Sequence, residues 1–313
     1  MIALLLRRLA TAVPTLLAVI LLSFLLMRFA PGSPFDGERA LDPATRAALE
    51  TAYGLDKPLW EQAGRYMSGL LRGDFGPSLV YADFTVTDLI REGLPVSLQL
   101  GGLALVVALT GGVATGVWAA IRAGGVVDRM LMVGATLGTA VPTFVMGPLL
   151  VLIFGLWLGW LPVSGLGDAD AGIIDRLRHL ILPTLTLALP VMGGVAKLTR
   201  AGLAQQLGSA HLLAAAARGL SPFAAVIRHA LRPALVPVAS YLGPAAAALL
   251  TGAVVIETVF ALPGLGRYFV QGALNRDYPL VLGVVTLYAA LIILFNLTAD
   301  LIYGWLDPRM RAA

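Results

Sequence analysis

Long apolar runs alternate with polar stretches of unequal length along this chain. Six runs stand out, near residues 9–30, 97–121, 130–158, 180–203, 236–261 and 279–306. Each can supply the roughly 20 helical residues needed to cross a hydrocarbon core about 30 Å thick. The pattern predicts an all-α integral membrane protein with six transmembrane helices. The first run follows Arg7 and Arg8 as a secretory leader would, but its apolar length exceeds a leader's, and "FAPGSPF" offers no small-x-small cleavage site. It reads as an uncleaved anchor.

The one sizeable polar segment, residues 31–95, is punctuated by "APGSPF", "YGLDKP" and "RGDFGPS", with short helices expected around Pro43–Tyr53 and Leu59–Leu71. The organisation is thus a first cytoplasmic end and span (1–30), an outer loop (31–95) and a five-helix core (96–313). Small residues recur every four positions at Gly112, Gly116, Ala120 and Gly124, and again at Gly134 and Gly138. Such stripes let helix backbones approach closely in lipid, although glycine is also simply common there. Pro142 and Pro148 are expected to kink the third span, and Pro183 and Pro190 the fourth.

Composition excludes a soluble domain: 58% of the 313 residues are hydrophobic and 13% charged, against about 25% charged in soluble proteins. There is no cysteine, so disulfides and thiolate metal sites are ruled out. His179, His211 and His229 are too scattered to form a metal site. The net charge of +4 reports orientation rather than a nucleic-acid partner. The termini, the 122–129 loop and residues 197–235 hold eleven Lys or Arg against Asp128 and Asp307 alone. By the excess of bases on the inner side, both termini are expected in the cytoplasm and residues 31–95 outside.

One stretch interrupts the apolar pattern, "AAAARGLSPFAAVIRHALRPALVP" (214–237), basic and without an acid. A helix from about Ala201 to Ala217 is expected to close at Gly219, which supplies the left-handed residue past a helix end. Ser221 suits an N-cap and Pro222 the first helical position. Phe223, Val226, Ile227, Ala230 and Leu231 then follow an apolar stripe, with Arg228, His229 and Arg232 beside it. Two roles fit: an interfacial helix on anionic lipid, or a short helix docking in a groove of a cytoplasmic partner. The residues alone do not choose.

The same segment resembles the EAA loop of binding-protein-dependent ABC permeases, in the branch that imports dipeptides and oligopeptides. It keeps Arg218, Gly219, Leu220 and Arg228-His229-Ala230-Leu231. It departs at Ala210, where the family has an acid, at His211 in place of an aromatic, and at Leu213 and Ala216 in place of arginines. Elsewhere "RGDFGPS", "WLPVSG", "HLILP", "ETVFALPGLGRYFV", "ALNRDYPLV" and "LDPRMR" occur in the family's order, so the resemblance covers nearly the whole chain. "FAPGSPFDGERAL" and "GDFGPSL" look most like the B-type subunit of oligopeptide importers. The resemblance implies the type I importer permease fold in a bacterial inner membrane. It also implies a second homologous permease subunit, two cytoplasmic ATPases, an extracytoplasmic peptide-binding protein and alternating access. The implied ATPase-coupling residues are Arg218, Gly219, Leu220, Ser221, Pro222, Phe223, Val226, Ile227, Arg228 and His229, within a loop at about 204–235.

No G-x-x-x-x-G-K-[ST] loop is present, and the two lysines, Lys57 and Lys197, follow no glycine-rich turn. ATP and Mg²⁺ are therefore expected on partner subunits, with no catalytic residue, metal or cofactor in this chain. Charges in spans are few. Glu257, Lys197 and Arg200 are candidates for the substrate path, set against pairing for Glu257 and snorkelling to the surface for the two bases. Asp300 reads as structural, and Arg267, Asn275, Arg276 and Asp277 lie outside, as a solvated loop or as a contact for the binding protein. Related systems are thought to carry dipeptides, nickel chelates or glutathione. A secondary transporter would need acids or histidines through its spans, and a membrane enzyme a clustered site; neither pattern is seen.

Overall fold

The computed structural model describes residues 2–29, 42–52, 54–81, 83–168, 170, 172–210, 212 and 217–306. Among them the structure is helical, and the one extended pairing is a bridge between Pro77 and Thr85. Helix α1 (Ile2–Phe29) is followed by the short α2 (Pro43–Ala52) and α3 (Leu59–Leu70), then by α4 (Val86–Ile121). Next come α5 (Val126–Ala140), α6 (Thr143–Leu150, continued by a π-helical stretch Val151–Trp157) and α7 (Gly172–Leu207). A composite helix, α8, joins Pro222–Ala225, a π-helical turn Val226–Ala230 and Leu231–Ala234. Helices α9 (Val236–Val259), α10 (Leu265–Leu274) and α11 (Tyr278–Leu306) follow.

Five helices, α1, α4, α7, α9 and α11, are long and apolar enough to cross a membrane. The third expected span is present as a bent pair, α5 and α6, meeting at 111°, which makes six spans if the pair counts as one. Val141 is extended (φ −82°, ψ 122°) because the ring of the following Pro142 crowds the helical region for its predecessor. The expected kink is therefore a complete break. Pro183 and Pro190, by contrast, lie inside an unbroken α7.

The chain forms two compact units. The first comprises residues 1–8, 98–262 and 292–313. Its centre is α7, packed against α5, α6, α8 and α9. Close approach explains the small residues there. A Cβ on Gly193 would lie 2.3 Å from the Ala135 carbonyl oxygen, and one on Gly116 2.5 Å from that of Ala196. The stripe expected on α4 is thus an α4–α7 contact, whereas Gly134 faces open space. Arg8 pairs with Asp300, Nε to Oδ2 at 2.9 Å, which brings the start of α1 to the late turns of α11.

The second unit comprises residues 9–97 and 263–291. Its hub is Asp277, fully buried, whose carboxylate accepts from the Ser78 hydroxyl and from the backbone N–H groups of Leu79 (3.2 Å), Val80 (3.3 Å) and Leu280 (3.3 Å). Tyr81 donates to Gln271 Oε1 at 2.6 Å. A cavity of about 390 Å³ lies among α1, α3 and the start of α11, lined by residues including Met27, Arg28, Leu55, Tyr66 and Leu282.

Candidate coupling site

Helix α7 ends earlier than the alanine-rich pattern suggested. It stops at Leu207, and the Ser209 hydroxyl and N–H both donate to the Gln206 carbonyl, at 2.6 and 3.0 Å. Serine and glycine both favour turns over helix interiors, and "LGS" places them together. The departures at His211, Leu213 and Ala216 lie outside the described residues. Ala210 is exposed.

Beyond this turn the expected sharp elbow is present. Gly219 has φ +85°, a backbone that a side chain would strain by about 1–2 kcal/mol. Ser221 caps α8: its hydroxyl accepts the Ala224 N–H at 3.3 Å, and its carbonyl accepts that of Ala225 at 2.9 Å. Pro222 and Phe223 open the helix; their side chains lie outside the described structure.

The apolar stripe differs from the one expected. Ala225, Val226, Ala230 and Ala234 are buried with Ala120, Leu203 and Leu212, and Leu220 packs against the cluster's edge. Ile227, expected on the same stripe, is 47% exposed. Ala225 takes its place beside Val226 in the seat, and a π-helical turn follows, in which the Leu231 N–H bonds to the Val226 carbonyl five residues back. An extra residue in a turn shifts the faces that follow. The widened turn ends three residues before Pro233, whose ring would crowd the carbonyl four residues behind it in a regular helix.

The result is a helix with two distinct sides. Its small residues seat it on α7, where a Cβ on Gly202 would meet the Ala234 carbonyl oxygen at 2.4 Å. Its outer side presents Ile227, Arg228 and His229, with Arg218 and Gly219 exposed at the elbow before it. No acid occurs between residues 201 and 235, so this side is positive. Val226 supports the ridge from beneath, inside the chain's own packing.

The candidate path residues have identifiable surroundings. Lys197 donates to Thr139 Oγ1 at 2.9 Å. Arg200 grips Asp128 with both Nε and Nη2 at 2.6 Å, and Asp128 also accepts the Gly124 N–H at 2.9 Å. Gly124 turns the chain with φ +80° so that its N–H can reach the carboxylate. Both partners of the two bases lie on α5. Glu257 is fully buried in the last turns of α9. The sequence reading missed Asp128 as the partner of Arg200. The available signal was its place as a lone acid between Arg122 and Arg129. Among the described residues, no three His, Asp or Glu side chains gather as a metal site.

Comparison with known proteins gives the family and the fold. Residues 112–312 match the family described as the binding-protein-dependent transport system inner membrane component. The oligopeptide transport system permease protein OppB of Haemophilus influenzae is 45% identical over 305 residues, covering 97% of this chain and 98% of that one. Its namesake from Salmonella typhimurium is 44% identical over 311 residues, covering 99% and 100%. The dipeptide permease protein DppB of Bacillus subtilis is 40% identical over 297 residues, covering 95% and 94%. Among solved structures, an inward-facing MetNI methionine ABC transporter matches with a TM-score of 0.54 at 17% identity, over 70% of this chain and 96% of that one. The fold is the type I ABC importer permease fold. With a family match across more than half its length and relatives similar along nearly all of it, the chain belongs to the multi-pass inner-membrane components of binding-protein-dependent transport systems.

Proposed function

We propose that this chain is the transmembrane subunit of an ATP-driven importer and forms the translocation path for peptides, with oligopeptides as its cargo. The observation that carries the reading is 44–45% identity, over nearly the full length, to relatives named as oligopeptide permeases. Its partners in this reading are a second homologous permease subunit, two cytoplasmic ABC ATPases and an extracytoplasmic peptide-binding protein. ATP and Mg²⁺ belong to the ATPases, because this chain has no phosphate loop.

The exposed ridge of α8, Ile227, Arg228 and His229 with Arg218 and Gly219 before it, is the surface on which an ATPase seats. Its positive charge, the exposed Ile227 and the packing beneath support that assignment. Both termini, the 122–125 turn and α8 then face the cytoplasm. The Arg8–Asp300 pair supports placing the two ends of the chain on one side. ATPase closure moves α8, and the bundle changes the side to which it opens; each state must bind its ligand differently for such coupling to work. Glu257 is the carboxylate offered to the path.

The test is ATP-dependent uptake into proteoliposomes holding the complete complex with its binding protein. Labelled tetra- and pentapeptides should accumulate, and dipeptides, nickel and glutathione should compete poorly. Preferential uptake of dipeptides would move the cargo to the dipeptide class, as the relative at 40% identity would suggest. Uptake by this chain alone without ATP would replace the reading with a secondary transporter.

A further inference from the structure

We propose that the Asp128–Arg200 pair is the joint that carries displacement of α8 into α5, making both residues positioning residues for transport. The inference rests on the function proposed above and deepens it.

Arg200 occupies a particular place on α7. Two and three residues later, Gly202 and Leu203 carry the seat of α8; Leu203 is fully buried in the cluster that holds Val226, Ala230 and Ala234. Seven residues earlier, Gly193 touches the backbone of α5 at Ala135. Arg200 thus lies between the load and the helix to be moved. Helix α7 has 36 residues, roughly 54 Å at 1.5 Å per residue, longer than the apolar core. Its last turns, with Arg200, therefore have room to project beyond that core on the side of α8.

Apart from the single Lys197–Thr139 hydrogen bond, the glycine contacts of α7 with α4, α5 and α8 set small residues against backbone. Such contacts resist compression, but only dispersion opposes their separation or sliding, and lipid supplies no hydrophobic drive. A bidentate guanidinium–carboxylate pair differs, because it is directional and resists pulling, sliding and rotation together. Asp128 is 3% exposed, and its third hydrogen bond, from the Gly124 N–H, ties it to the turn after α4. The carboxylate therefore fastens α5 and the end of α4 to α7 at one point. From α5 the displacement continues into α6 across the 111° break, and α6 packs against both α7 and α9. Gly147 on α6 lies against Phe260, three residues after Glu257.

The experiment uses the complete complex in proteoliposomes and reads peptide uptake and ATP hydrolysis together. Asp128→Asn and Arg200→Lys should assemble and hydrolyse ATP, while peptide carried per ATP falls about tenfold, the size of a typical coupling free energy. The exchange Asp128→Arg with Arg200→Asp should recover part of that ratio. The chain has no cysteine, so within it Asp128→Cys and Arg200→Cys can be bridged by a short bis-methanethiosulfonate, which joins each thiol by a disulfide, releases sulfinate and is cut again by a thiol reductant. Bridging should restore the ratio and reduction should remove it. An unchanged ratio in assembled Asp128→Asn, or a bridge that restores nothing, overturns the joint. Should the single variants fail to assemble, the bridged and reduced forms of one assembled double variant decide. Failure of the unmodified complex to import peptide would instead strike the underlying function.

Discussion

Ser78 and Asp277 are 199 residues apart in sequence, yet the serine hydroxyl donates to the buried aspartate carboxylate. Three backbone N–H groups complete the cage, from both sides of a long chain excursion. The buried carboxylate thus has its lone pairs satisfied by donors rather than left bare, which a buried polar group requires.

Asp277→Ala should therefore loosen the 74–85 segment. Leaving buried donors unsatisfied costs about 1–3 kcal/mol for each affected group. Limited proteolysis of the purified complex should show new cleavage between residues 74 and 85, and Asp277→Asn should lie between the variant and the parent. Equal protection in all three would remove the cage's structural role.

The exposed ridge of α8 can be separated from its seat. Ile227→Asp places a charge on a side chain that the chain itself leaves 47% exposed, so folding and membrane insertion should be retained. Association with the ATPases should fall by at least about tenfold, since central apolar residues dominate interfaces. Val226→Ala should instead weaken the seat by roughly 1–2 kcal/mol, at about 0.8 kcal/mol per buried methyl or methylene, and show itself as a lower melting temperature. Co-purification and thermal melting together distinguish the two.

Gly193 and Gly134 offer opposite expectations from the same substitution. Gly193→Ala drives a Cβ to within 2.3 Å of the Ala135 carbonyl and should push α5 from α7, lowering yield and melting temperature. Gly134→Ala meets nothing within 4 Å. It should be neutral or stabilising by about 0.5–1 kcal/mol from helix propensity alone. A destabilised Gly134→Ala would mean that another surface covers this face in the assembled complex.

Tyr66 on α3 supplies a pH dependence. Burial pushes its phenol up to about 12, from 10.0, against a smaller opposing effect of the Thr286 hydroxyl. The shift favours the protonated form, so its stabilising contribution is complete below pH 10 and is lost as pH rises from 10 towards 12. Alkaline absorbance titration of Tyr66→Phe should lose one late-ionising phenol, and its melting temperature should fall less between pH 10 and 12 than the parent's.

The six apolar runs were legible because a span must be long and greasy wherever it lies, and the elbow because Gly219, Ser221 and Pro222 each have one strong backbone preference. The break at Val141–Pro142 was only half legible: proline marks a disturbance, but whether a helix bends or stops depends on packing against α7. Ile227 was misplaced for a subtler reason. Hydrophobic periodicity gives the spacing of a stripe but not its centre, and the seat falls on the Ala225 side of Val226, which leaves Ile227 outside. The Asp128–Arg200 pair, 72 residues apart, needed a tertiary contact that no local pattern contains.

The two-sided packing of α8 also sets a rule for exchanging coupling segments between relatives. A regular helix advances about 100° per residue, so deleting one position between Ala225 and Arg228 would swing the outward arginine and histidine a quarter-turn or more relative to Ala225 and the elbow before it. Chimaeras grafted here must match residue count before residue identity, because the segment's length decides which side chains face outward.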